Sequence, residues 1–172
     1  MNAPSIDDDE ELAAAKAFAQ RLEAHLRSGG TLAQWLKIAP DDLQAMYALG
    51  GFFYEREEYD SALRIYLLLQ MADPYERRFM IATGMTRQML KQYDEAIGLY
   101  AQALAFDFDD PLPSFHTAEC LLLKGQPADA LTVLAICLRR AQGPEHEELR
   151  ERATQLRQLI ESARPRRPEV QP

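Results

Sequence analysis

The sequence contains two consecutive stretches of equal length that match each other: LQAMYALGGFFYEREEYDSALRIYLLLQMADPYE at residues 43–76 and RRFMIATGMTRQMLKQYDEAIGLYAQALAFDFDD at residues 77–110. When the second stretch is written under the first, at a shift of 34 residues, identical residues coincide. The pairs include Met46 and Met80, Gly50 and Gly84, Tyr59 and Tyr93, Asp60 and Asp94, Ala62 and Ala96, and Tyr66 and Tyr100. A fixed period of this length is typical of stacked helix–turn–helix repeats. Because one helix pair cannot bury its own apolar face, about three such repeats are needed for stability.

The repeat pattern resembles the tetratricopeptide motif, most clearly in its first copy. That copy places seven suitable residues at the helix-contact positions of the motif: Met46, Leu49, Gly50, Phe53, Ala62, Tyr66 and Leu69. A third, weaker copy begins at Pro111 and has Ala118 where the others have glycine. These small residues fall where paired helices would cross closely, so a bulkier side chain would force the helices apart. In the second copy Arg87 takes an apolar position, and we expect it to pair with a carboxylate.

The sequence therefore predicts an all-α fold, with three tandem tetratricopeptide repeats stacked as an α-solenoid. The predicted segments are an N-terminal helical segment (1–40), the repeats (41–141), a C-terminal capping helix (142–163) and a flexible tail (164–172). The capping helix carries one apolar stripe, formed by Leu149, Ala153, Leu156 and Ile160. Such a stripe would cover the open end of the stack, as terminal repeats require.

An amphipathic helix is predicted before the repeats. Its apolar residues recur at helical spacing: Leu12, Ala15, Ala19, Leu22 and Leu26. The stripe would either pack on the first repeat or join two copies of the chain in a homodimer. An amphipathic stripe does not by itself identify its partner, so both roles stay open.

Composition limits the classes of function. The 172 residues carry a formal net charge of −8, so we expect no basic face for nucleic acid. The acidic N-terminus is unlike a secretory signal, and no apolar run approaches the ~18–20 residues of a membrane span. We therefore expect a cytoplasmic protein that inserts in no membrane. Phosphate-loop, nucleophile-elbow and zinc-protease motifs are lacking, so we expect neither enzyme activity nor a cofactor or metal.

The first helix of each pair carries residues that the helix contacts of the motif do not use. In the tetratricopeptide motif these positions face a concave surface, and here they hold Gln44, Tyr47, Gly51, Tyr54, Arg78, Ile81, Met85, Gln88, Leu112, Phe115, Glu119 and Leu122. The apolar members would form an exposed groove, and such patches usually mark a binding site. We expect an extended peptide to bind there. The alternatives are that Tyr47 and Tyr54 only cover neighbouring helices, or that the N-terminal helix fills the groove.

A narrower resemblance rests on SGGTL at residues 28–32, on QYD at residues 92–94 and above all on FHTAECLLLKG at residues 115–125. Over residues 28–141 the chain resembles the class II chaperones of bacterial type III secretion, the SycD/LcrH type. The resemblance implies a cytoplasmic bacterial chaperone that keeps hydrophobic, pore-forming translocator proteins soluble until export. One or two such clients would each supply an extended segment with spaced Pro and Leu residues to the groove, where Tyr47 and Tyr54 would line the pockets.

The same resemblance implies a homodimer formed through N-terminal segments. A transcription regulator is a partner of some relatives, and the sequence leaves open whether it is one here. The alternative is a generic tetratricopeptide adaptor or scaffold with another peptide partner. A clamp for a C-terminal carboxylate is disfavoured, because Tyr47 and Gly51 stand where Lys and Asn would be needed.

Overall fold

The computed structural model describes residues 6–163, and all regular structure in this range is helical. The helices are α1 (Ile6–Arg27), α2 (Leu32–Leu36), α3 (Pro40–Glu55), α4 (Tyr59–Ala72), α5 (Arg77–Met89), α6 (Tyr93–Phe106), α7 (Leu112–Leu123), α8 (Pro127–Arg140) and α9 (Glu147–Ser162), with a short 3-10 turn before α9. The three repeats are the pairs α3–α4, α5–α6 and α7–α8. The predicted all-α repeat fold is confirmed, and the predicted tail at 164–172 lies outside the described residues.

Each helix of the repeats packs on the next helix in the chain, from α3 through to α9. The first helices of the pairs also lie side by side. Arg78 at the start of α5 donates to Gln44 on α3, and Gln88 near the end of α5 donates to Glu119 on α7. We call the surface formed by α3, α5 and α7 the inner face.

A glycine facing a tyrosine ring sets the distance between the paired helices. A methyl group at Gly50 would lie 2.6 Å from the ring of Tyr66, and one at Gly84 would lie 2.7 Å from the ring of Tyr100. In the third pair the smaller Leu134 shares a core cluster with Ala118. The prediction that small residues stand at close crossings is confirmed.

The turn inside each helix pair is the same in all three repeats. Glu57, Lys91 and Gly125 adopt positive φ values of 61°, 62° and 75°. In each case the next N–H bonds back to a carbonyl five residues earlier, as from Gln126 to Leu121 at 2.9 Å. This is the helix C-terminal motif in which glycine is usual, and it ends α3, α5 and α7 at equivalent positions.

Helix α9 closes the stack. Its residues Ala153 and Ile160 are buried with Phe115 and Leu134 in one core cluster. The turn into α9 is held by the Arg150 guanidinium, which donates to the carbonyl of Ala141 at 3.0 Å. The capping helix predicted from the apolar stripe is therefore confirmed.

Arg87 departs from its prediction. Its guanidinium donates to the side-chain carbonyl of Gln92 at 2.7 Å, and within residues 6–163 it forms no ion pair with a carboxylate. The left-handed turn at Lys91 brings Gln92 back beside the end of α5. A neutral acceptor suffices because the Arg87 side chain is only half-buried and keeps part of its hydration.

Candidate peptide-binding face

The first half of the inner face is built around Tyr47. Its ring lies 5.6 Å from the ring of Tyr66 and 5.9 Å from that of Phe79, and the Arg78 guanidinium lies 5.5 Å over it. Glu76 holds that guanidinium at 3.1 Å, and the hydrogen bond from Arg78 lowers the pKa of Glu76. Tyr47 is half-buried and Arg78 is exposed, and together they form an amphipathic rim of the inner face.

A cavity of about 530 Å³ opens beside this rim, between α2 and the first turns of α3 and α5. Its walls include Gln34, Ile38, Leu43, Gln44 and Arg78. Apolar side chains line this cavity together with amide groups and charged side chains of both signs, so it offers contacts to both apolar and polar groups of a ligand.

The second half of the inner face holds a smaller cavity of about 220 Å³. Six of its lining residues come from four helices: Tyr54, Met85, Gln88, Met89, Glu119 and Arg152. Tyr54 lies edge-on to Tyr59 at 5.4 Å, and its half-buried ring faces the cavity from α3. The sequence-predicted residues Tyr54, Met85, Gln88 and Glu119 are thus brought together here.

A chain of hydrogen bonds fixes the polar floor of this cavity. The Nδ1–H of His116 donates to Glu119 Oε2 at 2.8 Å, and Gln88 Nε2 donates to the same oxygen at 3.2 Å. The hydroxyl of Tyr100 donates to Gln88 Oε1 at 3.0 Å. The His116 ring also stacks on Tyr100 at 5.4 Å. Tyr100 therefore contacts both donors to Glu119 and fixes their positions.

The electrostatics of the floor keep Glu119 charged. Burial raises the pKa of Glu119, but the hydrogen bonds from His116 and Gln88 and the positive charge of Arg152 outweigh it, and the pKa lies below its ordinary value. Burial, together with Tyr59 and Glu119, raises the pKa of Tyr54. At neutral pH the cavity therefore presents a carboxylate beside a neutral phenol.

Two residues of the expected apolar wall are not exposed. Ile81 is only 9% exposed because it packs with Met80 and Ala103, and Phe115 is only 2% exposed. The Arg152 guanidinium of α9 lies 4.7 Å over the Phe115 ring, and Leu122 packs against the same cluster as Phe115. The exposed wall is therefore shorter than expected, because α9 covers its third-repeat end.

The adjacent glycines of α3 differ in their surroundings. A methyl group at Gly51 would meet only the Tyr66 hydroxyl, at an ordinary 3.8 Å, whereas Gly50 has the Tyr66 ring against it. Gly51 leaves the inner face without a side chain between Tyr47 and Tyr54. The two tyrosines are thus separated by a shallow gap on one helix.

Sequence reasoning missed Arg152 as a member of this site. The residue lies on α9, outside the 34-residue period, so no spacing could have assigned it to the inner face. His116 was also left out, although it stands in the distinctive FHTAECLLLKG stretch. The distinctiveness of that stretch was the sequence feature that could have indicated a role for His116 in the site.

The predicted dimerisation stripe lies apart from the inner face. Leu12 is 52% exposed and Leu26 is 39% exposed; Ala15 and Ala19 are exposed and Leu22 is half-buried. Helix α1 packs on α2, where the Phe18 ring meets Trp35 at 5.8 Å. The stripe is thus largely uncovered in a single chain.

Two further features bear on the class of protein. Among the described residues, no helix combines the length and the apolarity needed to cross a membrane. In the same range, His, Cys, Asp and Glu side chains nowhere gather in threes as a metal site would require.

Comparisons with known proteins agree with this architecture. A tetratricopeptide repeat family model matches residues 89–153. The low calcium response locus protein H of Yersinia pseudotuberculosis serotype I (strain IP32953) is 35% identical over 140 residues, which cover 81% of this chain and 83% of that protein.

Two solved structures of the Yersinia enterocolitica type III secretion translocator chaperone SycD are also similar. One is a complex with a peptide of the translocator YopD; it is 34% identical, with a TM-score of 0.67, and the match covers 73% of this chain and 96% of that chain. The other is described as an alternative dimer; it is 34% identical, with a TM-score of 0.69 and the same coverage of 73% and 96%.

Proposed function

Because the chain belongs to the family of type III secretion translocator chaperones, we propose that it holds hydrophobic translocator proteins in the bacterial cytoplasm. It keeps these pore-forming clients soluble and apart until they are exported. The observation that carries the proposal is the binding of a translocator peptide by SycD, a protein of the same fold at 34% identity. The protein acts by binding alone, without catalysis.

The client supplies an extended segment to the inner face. Tyr47 and Tyr54 receive its apolar side chains, and each well-covered anchor contributes roughly 1.5–3 kcal/mol. Prolines in the segment limit the entropy lost on docking, since they pre-set an extended conformation. The proposed contact residues are Gln44, Tyr47, Gly51, Tyr54, Arg78, Met85, Gln88, Glu119 and Leu122, while Ile81 and Phe115 support the face from beneath.

Each segment of the chain has a separate role. Residues 41–141 provide the client surface, and residues 142–163 close the stack. Residues 1–40 join two copies in a homodimer, which the exposed stripe of α1 and the dimer of SycD support.

Replacement of both Tyr47 and Tyr54 by alanine tests the proposed client site. Tagged wild-type protein is expected to co-purify from its native host with one or two translocators, identified by mass spectrometry. The double variant should lose most of this client, because two anchors at roughly 1.5 kcal/mol or more each are removed.

Tyr75→Ala is the matched control, because Tyr75 is an exposed tyrosine in the turn between α4 and α5, outside the inner face. It should retain the client. Equal recovery of client by the double variant and the wild type would contradict the proposed site, and recovery of no translocator by the wild type would contradict the function.

A further inference from the structure

Helix packing does not account for Glu119 on α7, which lines the second cavity. Phe115, Ala118 and Cys120 on the same helix are buried in the core, and apolar contacts account for them. A half-buried carboxylate instead costs desolvation energy, which here is offset by two dedicated hydrogen bonds. Such an arrangement keeps a charge in place at a surface where a ligand would meet it.

The geometry leaves half of this carboxylate unused. Both hydrogen bonds, from His116 and from Gln88, fall on Oε2. In the part of the chain that the structure describes, Oε1 accepts no hydrogen bond from a protein group. His116 and Gln88 are therefore positioning residues. They orient the Glu119 carboxylate but leave its Oε1 able to accept a further hydrogen bond.

Arg152 supplies the complementary donor. Its guanidinium is stacked on Phe115 and lines the same cavity as Glu119. Across residues 6–163 the salt bridges do not include one between Arg152 and Glu119, although Arg152 stands close enough to lower the pKa of that carboxyl. The cavity thus presents an acceptor and a donor, neither of which satisfies the other.

We propose that Glu119 and Arg152 together bind one amide group of the extended client, and so fix the register of the segment on the inner face. Glu119 Oε1 accepts the amide N–H, and the Arg152 guanidinium donates to the amide carbonyl. The amide belongs either to the client main chain or to an Asn or Gln side chain. This inference rests on the proposed function.

A neutral amide fits this pair better than a charged group does. A client Lys or Arg would be repelled by Arg152, and a client Asp or Glu would be repelled by Glu119. The aromatic and Met side chains around the pair supply affinity but little directional preference. A slip by one residue would replace an Asn or Gln side chain by its neighbour, or would reverse the directions of the N–H and the carbonyl of a main-chain amide. Either change leaves Glu119 and Arg152 without matched partners, and unpaired polar groups of this kind are costly.

The test uses the full chain and the YopD peptide that SycD binds, carrying a fluorescent label, with binding followed by anisotropy. Glu119→Gln is expected to weaken binding about 10-fold, since a charge-assisted hydrogen bond is replaced by a weaker neutral one. Arg152→Gln, on the exposed side of α9, should weaken binding by a similar factor. Glu95→Gln on α6 makes the same charge change at an exposed site and should change affinity less than about twofold.

Peptide analogues identify the source of the amide. In one series each main-chain amide is replaced by an ester, and in the other each Asn or Gln side chain is replaced by an apolar one. One analogue is expected to bind the wild-type protein about 10-fold more weakly than the unmodified peptide does. The same analogue should bind Glu119→Gln with the same affinity as the unmodified peptide does, because the two changes remove the same contact. An ester with this behaviour assigns the main chain, and a side-chain analogue assigns Asn or Gln.

Three outcomes would overturn the amide anchor. The first is unchanged affinity in both Glu119→Gln and Arg152→Gln while Tyr54→Ala weakens binding, which leaves the proposed function intact. The second is that every analogue loses the same affinity for Glu119→Gln as for the wild type. That result would show that no amide of the peptide is coupled to Glu119. The third is no saturable binding of the peptide by the wild type, which counts against the proposed function and removes the anchor with it.

Discussion

At the scale of single residues, neighbouring glycines on α3 meet different surroundings. A methyl group at Gly50 would lie 2.6 Å from the Tyr66 ring, whereas at Gly51 its nearest neighbour would be 3.8 Å away. Tyr66 is only 4% exposed and packs with Leu69 and Phe79 in one core cluster. The ring therefore has little freedom to move away from an added side chain.

We expect Gly50→Ala to destabilise the protein by roughly 1–3 kcal/mol, because the new methyl group overpacks the α3–α4 crossing. Tyr66→Leu in the same chain should recover part of this loss, since the pair then matches Ala118 and Leu134 of the third repeat. Urea unfolding followed by circular dichroism measures both effects. Gly51→Ala is the control and should be neutral or stabilising by up to about 1 kcal/mol, the helix preference for alanine.

A coupling energy near zero between Gly50→Ala and Tyr66→Leu would contradict this account of the crossing. It would mean that the helices adjust their spacing without involving the tyrosine ring.

Glu119 gives the fold a pH dependence of definite sign. Its folded-state pKa lies below the ordinary value of 4.5, so the folded protein binds fewer protons than the unfolded chain in this range. Stability from Glu119 is therefore fully present above about pH 5 and is lost as pH falls through the lowered pKa. The stability difference between wild type and Glu119→Gln should shrink as pH falls from about 7 to about 3.

Urea unfolding at a series of pH values measures this difference. Glu95→Gln is a suitable control, because an exposed carboxylate on α6 should give a small difference at every pH. A Glu119→Gln difference that stays constant throughout the range would show that the hydrogen bonds from His116 and Gln88 do not favour the ionised form.

At the scale of elements, the turn that ends each first helix is the repeated feature. All three turns require a left-handed residue, yet only the third has glycine, at Gly125. A side chain in this conformation is strained by roughly 1–2 kcal/mol. The first two repeats therefore carry strain at Glu57 and Lys91 that the third repeat avoids.

Lys91→Gly is expected to stabilise the protein by about 0.5–1 kcal/mol, because relief of the strain exceeds the extra entropy of the unfolded chain. Lys91→Ala is the matched control and should bring no such gain, since alanine keeps the Cβ atom. Gly125→Ala should destabilise by about 1 kcal/mol, although no atom lies within 4 Å of the added methyl group. Thermal unfolding of the three variants measures these changes.

Stabilisation by Lys91→Ala equal to that by Lys91→Gly would locate the effect in the lysine side chain and would contradict the backbone explanation.

At the scale of the whole molecule, α1 stands apart from the repeats. It packs on α2 through Phe18 and His25, whose rings meet Trp35 at 5.8 and 5.4 Å. The stripe that includes Leu12 and Ala19 remains exposed. An uncovered apolar helix face of this kind is typical of association between subunits.

We expect Ala19→Asp to shift the protein from dimer to monomer, because it places a charge within the apolar stripe of α1. Ala17→Asp makes the same substitution at an exposed residue on the opposite side of α1 and should leave the dimer intact. Sedimentation velocity across a range of protein concentrations measures the association. Equal dimer fractions for the two variants would exclude this stripe from the interface.

Much of the architecture was determined by the sequence alone. The recurrence of glycine, alanine and tyrosine every 34 residues predicts the helix pairs and their close crossings. These features depend on contacts between neighbours in the chain or between adjacent repeats. Such contacts produce a periodic pattern in the sequence, because equivalent positions of each repeat make equivalent packing contacts.

Which residues are exposed on the inner face depends on tertiary contacts that the sequence does not reveal. Periodicity predicted Ile81 and Phe115 as exposed wall residues and a carboxylate partner for Arg87, and the structure differs on all three. Arg152 reaches Phe115 from α9, a segment outside the repeat period. A contact between a periodic array and a single flanking helix occurs once, so no repetition in the sequence can reveal it, and only the folded chain brings Arg152 to the cavity of Glu119.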